Sequence, residues 1–280
     1  MQRVVQIGGE TIGDGQEVYV IAEVGINHNG NLDTAKKLIR QAKWAGASAV
    51  KLQTYITEKR VSEDSPIYDI LKQCELSFSE QNELFNCAHE QDIAVFSTPF
   101  DDESVDFLSS VGVPCYKIAS FDVVNASLIK SITAKGKPVI MSCGMANQLE
   151  IDKAVDIVRS SELDIILLHC ISAYPVPSHN SLYLRTIHAL SERYQCTVGF
   201  SDHTIGIEAS KYAVAAGAAI IEKHFTLSCK SEGPDHAIST EPEEMKEMVS
   251  GIRYVREMMG EVIWSSVPAE KDIIPFRRFS

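Results

Sequence analysis

The chain has 280 residues, of which 45% are hydrophobic and 23% are charged, and its formal net charge is −12 at pH 7. The acidic balance, without any run of Lys or Arg, argues against nucleic acid and anionic membrane as partners. No stretch approaches the roughly 18 apolar residues of a membrane span. The seven scattered cysteines form no C-x-x-C pair, and the first residues lack an apolar signal segment, so we expect a cytoplasmic protein.

Short apolar runs rich in Val and Ile alternate with stretches of helical period along the chain. Continuous rather than alternating runs are typical of parallel strands buried on both faces. The runs span residues 18–25, 48–55, 93–100, 114–120, 138–144, 165–171, 197–203 and 219–225. Eight strands, each followed by a helix, predict an α/β fold of the (β/α)8 TIM-barrel type. The alternative, an open doubly wound sheet, is expected to carry a Gly-rich phosphate turn after its first strand, and residues 23–30 contain none.

Three segments lie outside this repeat. Residues 2–17 contain two glycine turns and predict an N-terminal β-hairpin that plugs the floor of the barrel. Residues 56–78 lengthen the second strand–helix connection, and long loops on that face are usually functional. We therefore divide the chain into a catalytic barrel with its hairpin over 1–262 and a C-terminal extension or linker over 263–280.

Polar side chains stand at nearly every predicted strand end. In such barrels the catalytic residues come from the carboxyl ends of several strands, so the convergence predicts a pocket there rather than unrelated loop contacts. The candidates are Glu23, Lys51, Gln53, Thr98, Phe100, Lys117, Ser120, Asp122, Ser142, His169, Ser172, Tyr174, Ser201, His203, Glu222 and His224.

Lys51 and Lys117 follow apolar residues, and a lysine at such a depth needs an anionic partner. One interpretation is a structural ion pair with Glu23 or Asp122. A second is a clamp for a phosphate or carboxylate ligand, assisted by neighbouring hydroxyls. A third is a Schiff-base lysine of the class I aldolase kind.

His203 and His224 end the seventh and eighth predicted strands. Adjacent strands lie about 4.8 Å apart, so two inward imidazoles there could share one metal ion. Two histidines leave coordination positions for a substrate oxygen, and mostly oxygen donors otherwise favour Mn²⁺, with Mg²⁺ or Co²⁺ as alternatives. The competing interpretation is one core histidine and one surface histidine.

The strand-end motifs together resemble the barrel of the sialic acid synthase (N-acetylneuraminate synthase) family. The resemblance runs in order from residue 18 to about 278. The motifs that carry it are residues 22–30 (AEVGINHNG), 50–53 (VKLQ), 97–101 (STPFD), 116–120 (YKIAS), 142–145 (SCGM), 169–175 (HCISAYP), 199–204 (GFSDHT), 222–226 (EKHFT) and 233–236 (GPDH).

The resemblance implies a metal-dependent condensation of phosphoenolpyruvate with the aldehyde of an N-acylated hexosamine, such as N-acetylmannosamine. Phosphate leaves by C–O cleavage and a nonulosonic acid forms. The implied phosphoenolpyruvate ligands are Lys51, Thr98, Lys117, Ser120, Ser142, Ser172 and Ser201. The implied sugar ligands are Glu23, Gln53, Tyr174, Glu222 and Asp235, and we add Phe100 to the substrate-binding set.

The resemblance also assigns the metal to His203 and His224. We expect catalytic roles for Glu23, Lys117 and Asp122, the last standing where the family has a glutamate near the attacking water. The family continues into a small antifreeze-like domain that caps a partner's barrel, and residues 276–280 lie where that linker would begin. A homodimer and the identity of the acceptor sugar stay open. The alternatives are a Schiff-base aldolase and a non-catalytic anion-binding barrel in a glycan-synthesis complex.

Overall fold

The computed structural model describes residues 3–278, and it begins with an antiparallel hairpin. Strands β1 (Val4–Ile7) and β2 (Glu10–Gly13) pair through the tight turn at Gly8-Gly9. The inner face of the hairpin joins the main hydrophobic core, and the Thr197 hydroxyl donates to the Arg3 carbonyl (3.0 Å). Thr197 begins a barrel strand, so the hairpin lies against the amino ends of the strands. Gln2, the first residue of the predicted hairpin, lies outside the described residues.

Eight parallel strands close a barrel, each paired with the next along the chain and the last with the first. The strands are β3 (Tyr19–Gly25), β4 (Ala49–Thr54), β5 (Ala94–Pro99), β6 (Tyr116–Ile118), β7 (Val139–Ser142), β8 (Ile165–Cys170), β9 (Thr197–Asp202) and β10 (Ile220–His224). Every residue of β3, β8, β9 and β10 is buried, which explains why none of these strands alternates between an apolar face and a solvent-exposed polar face. The predicted (β/α)8 barrel with an N-terminal hairpin is confirmed.

Helices cover the outside of the barrel. They are α1 (Leu32–Trp44), α2 (Thr57–Arg60), α3 (Tyr68–Cys74), α4 (Phe78–Glu90), α5 (Asp102–Ser110), α6 (Ala126–Thr133), α7 (Gln148–Ser160), α8 (Arg185–Tyr194), α9 (Glu208–Ala215) and α10 (Pro242–Met259). Side-chain hydrogen bonds cap the amino ends of several helices. At α1, the Asn31 side chain accepts a hydrogen bond from the Thr34 amide, and at α7, Asn147 forms a capping box with Glu150. No helix within residues 3–278 is long and apolar enough to cross a membrane.

The long connection after β4 is partly helical. It contains the two short helices α2 and α3 before the regular barrel helix α4 begins. Asp101, at the end of the neighbouring β5, caps α5 through the Ser104 amide (2.8 Å) and accepts from the Ile56 amide at the start of α2 (2.9 Å). One carboxylate therefore ties this connection to the rim of the barrel.

Residues 263–278 contain two short 3-10 turns, Pro268–Glu270 and Ile274–Phe276. Large apolar side chains in and beside this segment are exposed, among them Val262, Trp264 and Phe276. The division of the chain at residues 262 and 263 stays a prediction.

Candidate active site at the carboxyl end of the barrel

A cavity of about 400 Å³ opens at the carboxyl ends of the barrel strands. This volume suits a small-molecule site. Of the sixteen residues proposed from the sequence for catalysis, substrate or metal, the cavity brings together all but two. They are Glu23, Lys51, Gln53, Thr98, Phe100, Lys117, Ser120, Ser142, Tyr174, Ser201, His203, Glu222, His224 and Asp235.

Asp122 and Ser172 do not line the cavity. Asp122 ends a 3-10 turn and accepts a hydrogen bond from the Asn125 amide group (3.2 Å). The Ser172 hydroxyl lies 3.9 Å from the Cys170 sulfur, and Cys170 does line the cavity. Ser172 therefore stands at the edge of the site, whereas Asp122 lies outside its lining. His169, a further strand-end candidate, lies outside it with its Nε2 bonded to the Leu182 carbonyl (2.6 Å).

Two lysines and two glutamates form a buried charge quartet on the cavity floor. The Lys51 Nζ lies 3.2 Å from a Glu23 carboxylate oxygen and 3.4 Å from one of Glu222. The Lys117 Nζ lies 3.7 Å from the same Glu222 oxygen and donates to the Ser142 hydroxyl (2.7 Å). The ion pair of Lys51 with Glu23, one of the interpretations left open by the sequence, is present, whereas neither lysine pairs with Asp122.

The quartet arises from strand register. Glu222 on β10 stands opposite Ser201 on β9, while His224 stands opposite Glu23 on β3, and Glu23 stands opposite Lys51 on β4. Residues opposite one another on adjacent strands face the same side of the sheet. The barrel interior therefore receives these charged groups side by side.

The pKa values of the two glutamates are shifted in opposite directions. Burial raises the pKa of Glu23 to about 7, against the lowering effect of Lys51, and the nearby Glu222 adds to the rise. Burial also opposes ionisation of Glu222, but Lys117 and Lys51 lower its pKa to about 2. One carboxyl is thus poised to exchange a proton near neutral pH while its neighbour stays ionised, a separation typical of acid–base sites.

The pKa values of the two lysines are also shifted in opposite directions. Burial disfavours the Lys51 ammonium, but Glu222 and Glu23 raise its pKa above the usual range. Burial lowers the pKa of Lys117, because Glu222 compensates less and Lys51 repels it. The buried Oε2 of Glu222 has no hydrogen-bond partner, whereas the Oε2 of Glu23 is the oxygen that contacts the Lys51 ammonium. An unpaired buried oxygen such as that of Glu222 indicates where a ligand would bind.

Hydroxyl groups surround the lysine end of the cavity. The Ser201 hydroxyl donates to Glu222 (2.9 Å), and the Ser120 hydroxyl accepts from the Gly144 amide (3.0 Å). The Thr98 hydroxyl lies 3.5 Å from the Lys51 Nζ. Together with the lysines they form a donor-rich cradle of the kind that binds phosphate or carboxylate oxygens.

The imidazoles of His203 and His224 face each other across the end of the barrel, with ring centroids 5.4 Å apart. The Nδ1 of His203 donates a hydrogen bond to the Ile171 carbonyl (2.9 Å). Burial disfavours the charged ring, but Cys170, the Ile171 carbonyl and Glu222 raise the pKa of His203, so its Nε2 accepts only when the ring is neutral. The buried Nδ1 of His224 has no hydrogen-bond partner, since the nearest Asp235 oxygen is 3.7 Å away. Burial, reinforced by repulsion from His203, holds the pKa of His224 well below its usual range, so this ring is neutral.

These features fit a divalent metal. The His224 imidazole is neutral and its Nδ1 has no hydrogen-bond partner, and a neutral imidazole nitrogen with a free lone pair is a common metal ligand in proteins. Within residues 3–278, however, no three His, Cys, Asp or Glu side chains converge as a ligand group. A site on His203 and His224 would therefore take its other ligands from substrate or water. The identity of the ion stays a prediction.

Tyr174 covers this histidine pair. Its ring centroid lies 4.1 Å from that of His203 and 6.1 Å from that of His224, and 45% of the residue is exposed. Asp235 lines the cavity on the same side, and burial raises the pKa of its carboxyl. The mouth of the site thus offers an aromatic face and a carboxylate next to the imidazoles.

Arg60, the last residue of α2, also lines the cavity and was not proposed from the sequence. Its guanidinium lies over the Phe100 ring, 3.7 Å from the centroid, and donates to the Gln53 side-chain oxygen (3.0 Å). No periodic pattern marks a four-residue helix. The only available signal was the length of the segment 56–78, in which Arg60 is the one arginine.

Comparison with known proteins agrees with this architecture. Residues 38–263 match the NeuB family. The N,N'-diacetyllegionaminic acid synthase of Campylobacter jejuni is 38% identical, with 95% of this chain and 84% of that protein covered. Human N-acetylneuraminate-9-phosphate synthase is 32% identical, with 94% and 77% covered.

Among solved structures, the sialic acid synthetase of Leptospira borgpetersenii, in complex with citrate, superposes with a TM-score of 0.95 at 36% identity. The match covers 99% of this chain and 97% of that one. A family match over most of the chain, together with relatives above 30% identity along nearly its whole length, decides the assignment. The chain belongs to the NeuB family.

Proposed function

We propose that this protein condenses phosphoenolpyruvate with the aldehyde of an N-acylated hexosamine to give a nonulosonic acid and inorganic phosphate. The observation that carries the proposal is the buried quartet, in which Lys51 and Lys117 lie among hydroxyl donors. The names of the relatives, which are synthases of legionaminic acid and of N-acetylneuraminate 9-phosphate, support the same reaction class.

The lysine end of the cavity takes phosphoenolpyruvate. Its carboxylate and phosphate replace Glu23 and Glu222 as partners of the two ammonium groups, and the hydroxyls of Ser142 and Ser201 donate to the same oxygens. Because these donors are held in place by the barrel strands, they need little reorganisation when the ligand arrives.

Glu23 holds a proton near the reacting atoms. Because its pKa is about 7, the Glu23 carboxyl is about half protonated at neutral pH. It can therefore donate or accept a proton as the new bond forms. Asp122 is too far out to line the cavity and acts, if it acts on water, through a second water molecule.

His203 and His224 would hold the divalent metal, with Mn²⁺ as our first choice and Mg²⁺ or Co²⁺ as alternatives. A metal bound there would supply Lewis-acid polarisation of the acceptor's aldehyde oxygen. Tyr174 and Asp235 stand beside the two imidazoles and bind the sugar chain, while the side chain of Gln53 holds the Glu23 carboxyl by a 3.2 Å hydrogen bond.

The direct experiment incubates the protein with phosphoenolpyruvate, N-acetylmannosamine and Mn²⁺ and follows phosphate release. We expect release that requires both substrates. A panel of 2-acetamido sugars, with products identified by mass, then finds the preferred acceptor. Absence of release with every sugar, from folded and metal-replete protein, would overturn the proposal.

One observation favours a second candidate, a Schiff-base aldolase. Burial lowers the pKa of Lys117, which is the property of a lysine that attacks a carbonyl carbon. Borohydride reduction in the presence of pyruvate distinguishes the two. A covalent adduct on Lys117 that forms equally well with a chelator present supports the aldolase, and its absence supports the condensation.

A further inference from the structure

A buried ion pair lies next to the two proposed metal ligands in the chain. Asp202 directly precedes His203, and Lys223 directly precedes His224. The Lys223 Nζ lies 3.3 Å from an Asp202 carboxylate oxygen, and neither side chain has any exposed surface. Within residues 3–278 this is the most deeply buried ion pair, and no step of the proposed condensation uses it.

The pair faces away from the cavity because side chains alternate along a strand. Ser201 and His203 line the cavity, so Asp202 between them points to the outside of the barrel. There its Oδ2 accepts a hydrogen bond from the Ser210 hydroxyl of α9 (2.7 Å). The same alternation turns Lys223 outwards on β10. The pair therefore lies between the sheet and a helix, out of reach of substrate.

Lys223 contacts the residues on both sides of His203. In addition to its ion pair with Asp202, its ammonium donates to the Thr204 carbonyl. Asp202 completes the arrangement, because its Oδ1 accepts from the Thr204 amide (2.8 Å). One side chain of β10 thus holds the residues immediately before and after a proposed metal ligand on the neighbouring strand.

Strand register explains why this contact matters for the histidines. The backbone pairing of β9 with β10 ends at Asp202 and Lys223. His203 lies one residue beyond β9, whereas His224 is still part of β10. The hydrogen bonds of the His203 ring and carbonyl go to β8 and the connection that follows it. The side chains of the last paired residues therefore link His203 to β10 and set its position relative to His224.

A fully buried ion pair contributes little net stability. Two charges removed from water lose hydration energy that their attraction often fails to recover, so apolar side chains of the same size are often at least as stabilising. The best-attested use of such a pair is to fix register. Asp202 and Lys223 occupy the register position that adjoins both imidazoles, which points to a role in the geometry of the histidine pair.

We propose that Asp202 and Lys223 are positioning residues that set the separation and direction of His203 and His224 for one divalent metal ion. The inference rests on the metal that the proposed condensation assigns to these histidines, and it adds the residues outside the cavity that hold them. The two imidazole centroids, 5.4 Å apart, keep that spacing through the ion pair behind them. Neither positioning residue touches substrate or metal.

The test removes the ion pair without leaving one charge buried alone. In the double variant Asp202→Asn with Lys223→Met, both side chains keep about their size, and the new amide oxygen still accepts from the Thr204 amide. Mn²⁺ affinity is measured without substrates, from the EPR signal of free Mn²⁺, at a temperature at which each variant is folded. We expect Kd to rise roughly 10- to 100-fold, the usual cost of losing a group that orients a metal ligand.

Three further variants make the titration specific. His224→Gln should abolish the binding, which assigns the signal to the histidine pair. The matched control is Glu208→Gln with Lys211→Met, which removes a surface ion pair from α9, the helix that contacts Asp202, and should bind Mn²⁺ as the wild type does. Asp202→Asn alone keeps the shape of the side chain and should raise Kd by a smaller factor. It decides the question if the double variant does not fold.

Four results would overturn the inference. An unchanged Kd for Mn²⁺ in the folded double variant means that the pair only stabilises the barrel. Failure of both the double variant and Asp202→Asn to fold means the same. Mn²⁺ binding that persists in His224→Gln, or no binding by the wild type, means that the two imidazoles do not hold the ion.

The titration needs no turnover, so it separates this inference from the condensation. A higher Kd in the double variant, with no phosphate release by the wild type, would support the positioning role and remove the condensation. Phosphate release by the wild type, with equal Kd values in the wild type and the double variant, would do the reverse.

Discussion

Glu23 shows how individual residues of this site restrain one another. Its carboxyl is fully buried, contacts Lys51 at 3.2 Å, and is held by Gln53, yet its pKa is raised to about 7 because burial outweighs these partners. Glu222, which faces both lysines, shows the opposite shift. The residues themselves were evident from the sequence as polar strand ends. The ion pair of Lys51 with Glu23 was one of the interpretations left open by the sequence. The coupling of both glutamates to both lysines was not evident, because it depends on which residues stand opposite one another across β10, β3 and β4.

The raised pKa of Glu23 predicts a pH-dependent stability. The folded chain retains the proton up to about pH 7, whereas a free glutamate releases it near pH 4.5. Between these values the folded state binds more protons, so the free energy of unfolding falls as pH rises. A shift of this size corresponds to about 3 kcal/mol. Urea unfolding at pH 5 and pH 8 should show Glu23→Gln gaining stability relative to wild type by up to that amount as pH rises.

The control for this comparison is Glu10→Gln, which removes an exposed carboxylate from β2. Its stability should follow that of the wild type at both pH values. If Glu23→Gln also ran parallel to the wild type from pH 5 to pH 8, the assigned protonation of Glu23 would be wrong.

The elements of the barrel differ in how well the sequence predicts them. The strands were predicted because burial on both faces favours continuous apolar runs, as in β7 and β8. Helices α2 and α3 were predicted only as a long loop. They have four and seven residues, too few for a periodic apolar stripe, and tertiary contacts such as the Asp101 side chain hold them in place. Arg60 was missed with them.

A substitution in the turn after β7 should change how the site binds its substrate. A Cβ added at Gly144 would collide with the Ser172 hydroxyl and would lie 2.9 Å from the Ser120 hydroxyl. Gly144→Ala should therefore displace Ser120, which belongs to the proposed phosphoenolpyruvate cradle, and Ser172 next to it. KM for phosphoenolpyruvate should rise about tenfold, as expected when a hydrogen bond to a charged ligand is lost.

Gly251→Ala is the matched control, because Gly251 lies within α10 and a methyl there meets only the flexible end of Lys211. It should keep wild-type kinetics and gain up to about 1 kcal/mol of stability. Steady-state kinetics and thermal melts measure both effects. If KM for phosphoenolpyruvate is unchanged in Gly144→Ala, Ser120 does not belong to the cradle.

At the scale of the whole molecule, one hydrophobic core extends from the hairpin through the barrel to the outer helices. The proposed metal ligands, His203 and His224, lie at the end of the strands rather than within this core. We therefore expect the fold not to depend on the proposed ion, whereas the proposed reaction should depend on it.

Metal removal should separate these two properties. Treatment with a chelator is expected to abolish phosphate release and to lower Tm by only the few degrees that loss of a bound ligand explains. Addition of Mn²⁺ should restore the rate. His224→Gln should show the same loss without restoration by Mn²⁺. Full activity of the chelated protein would exclude a metal requirement, and its unfolding would show that the ion is structural.

The most direct test of the condensation uses phosphoenolpyruvate that carries ¹⁸O in the oxygen bridging C2 and phosphorus, together with the preferred 2-acetamido sugar. We predict that the released phosphate keeps the label and that the product mass equals the sum of both substrates and water less phosphate, because the C–O bond breaks as the sugar is joined. Label retained in the organic product, or phosphate released without a sugar adduct, would contradict the proposed reaction.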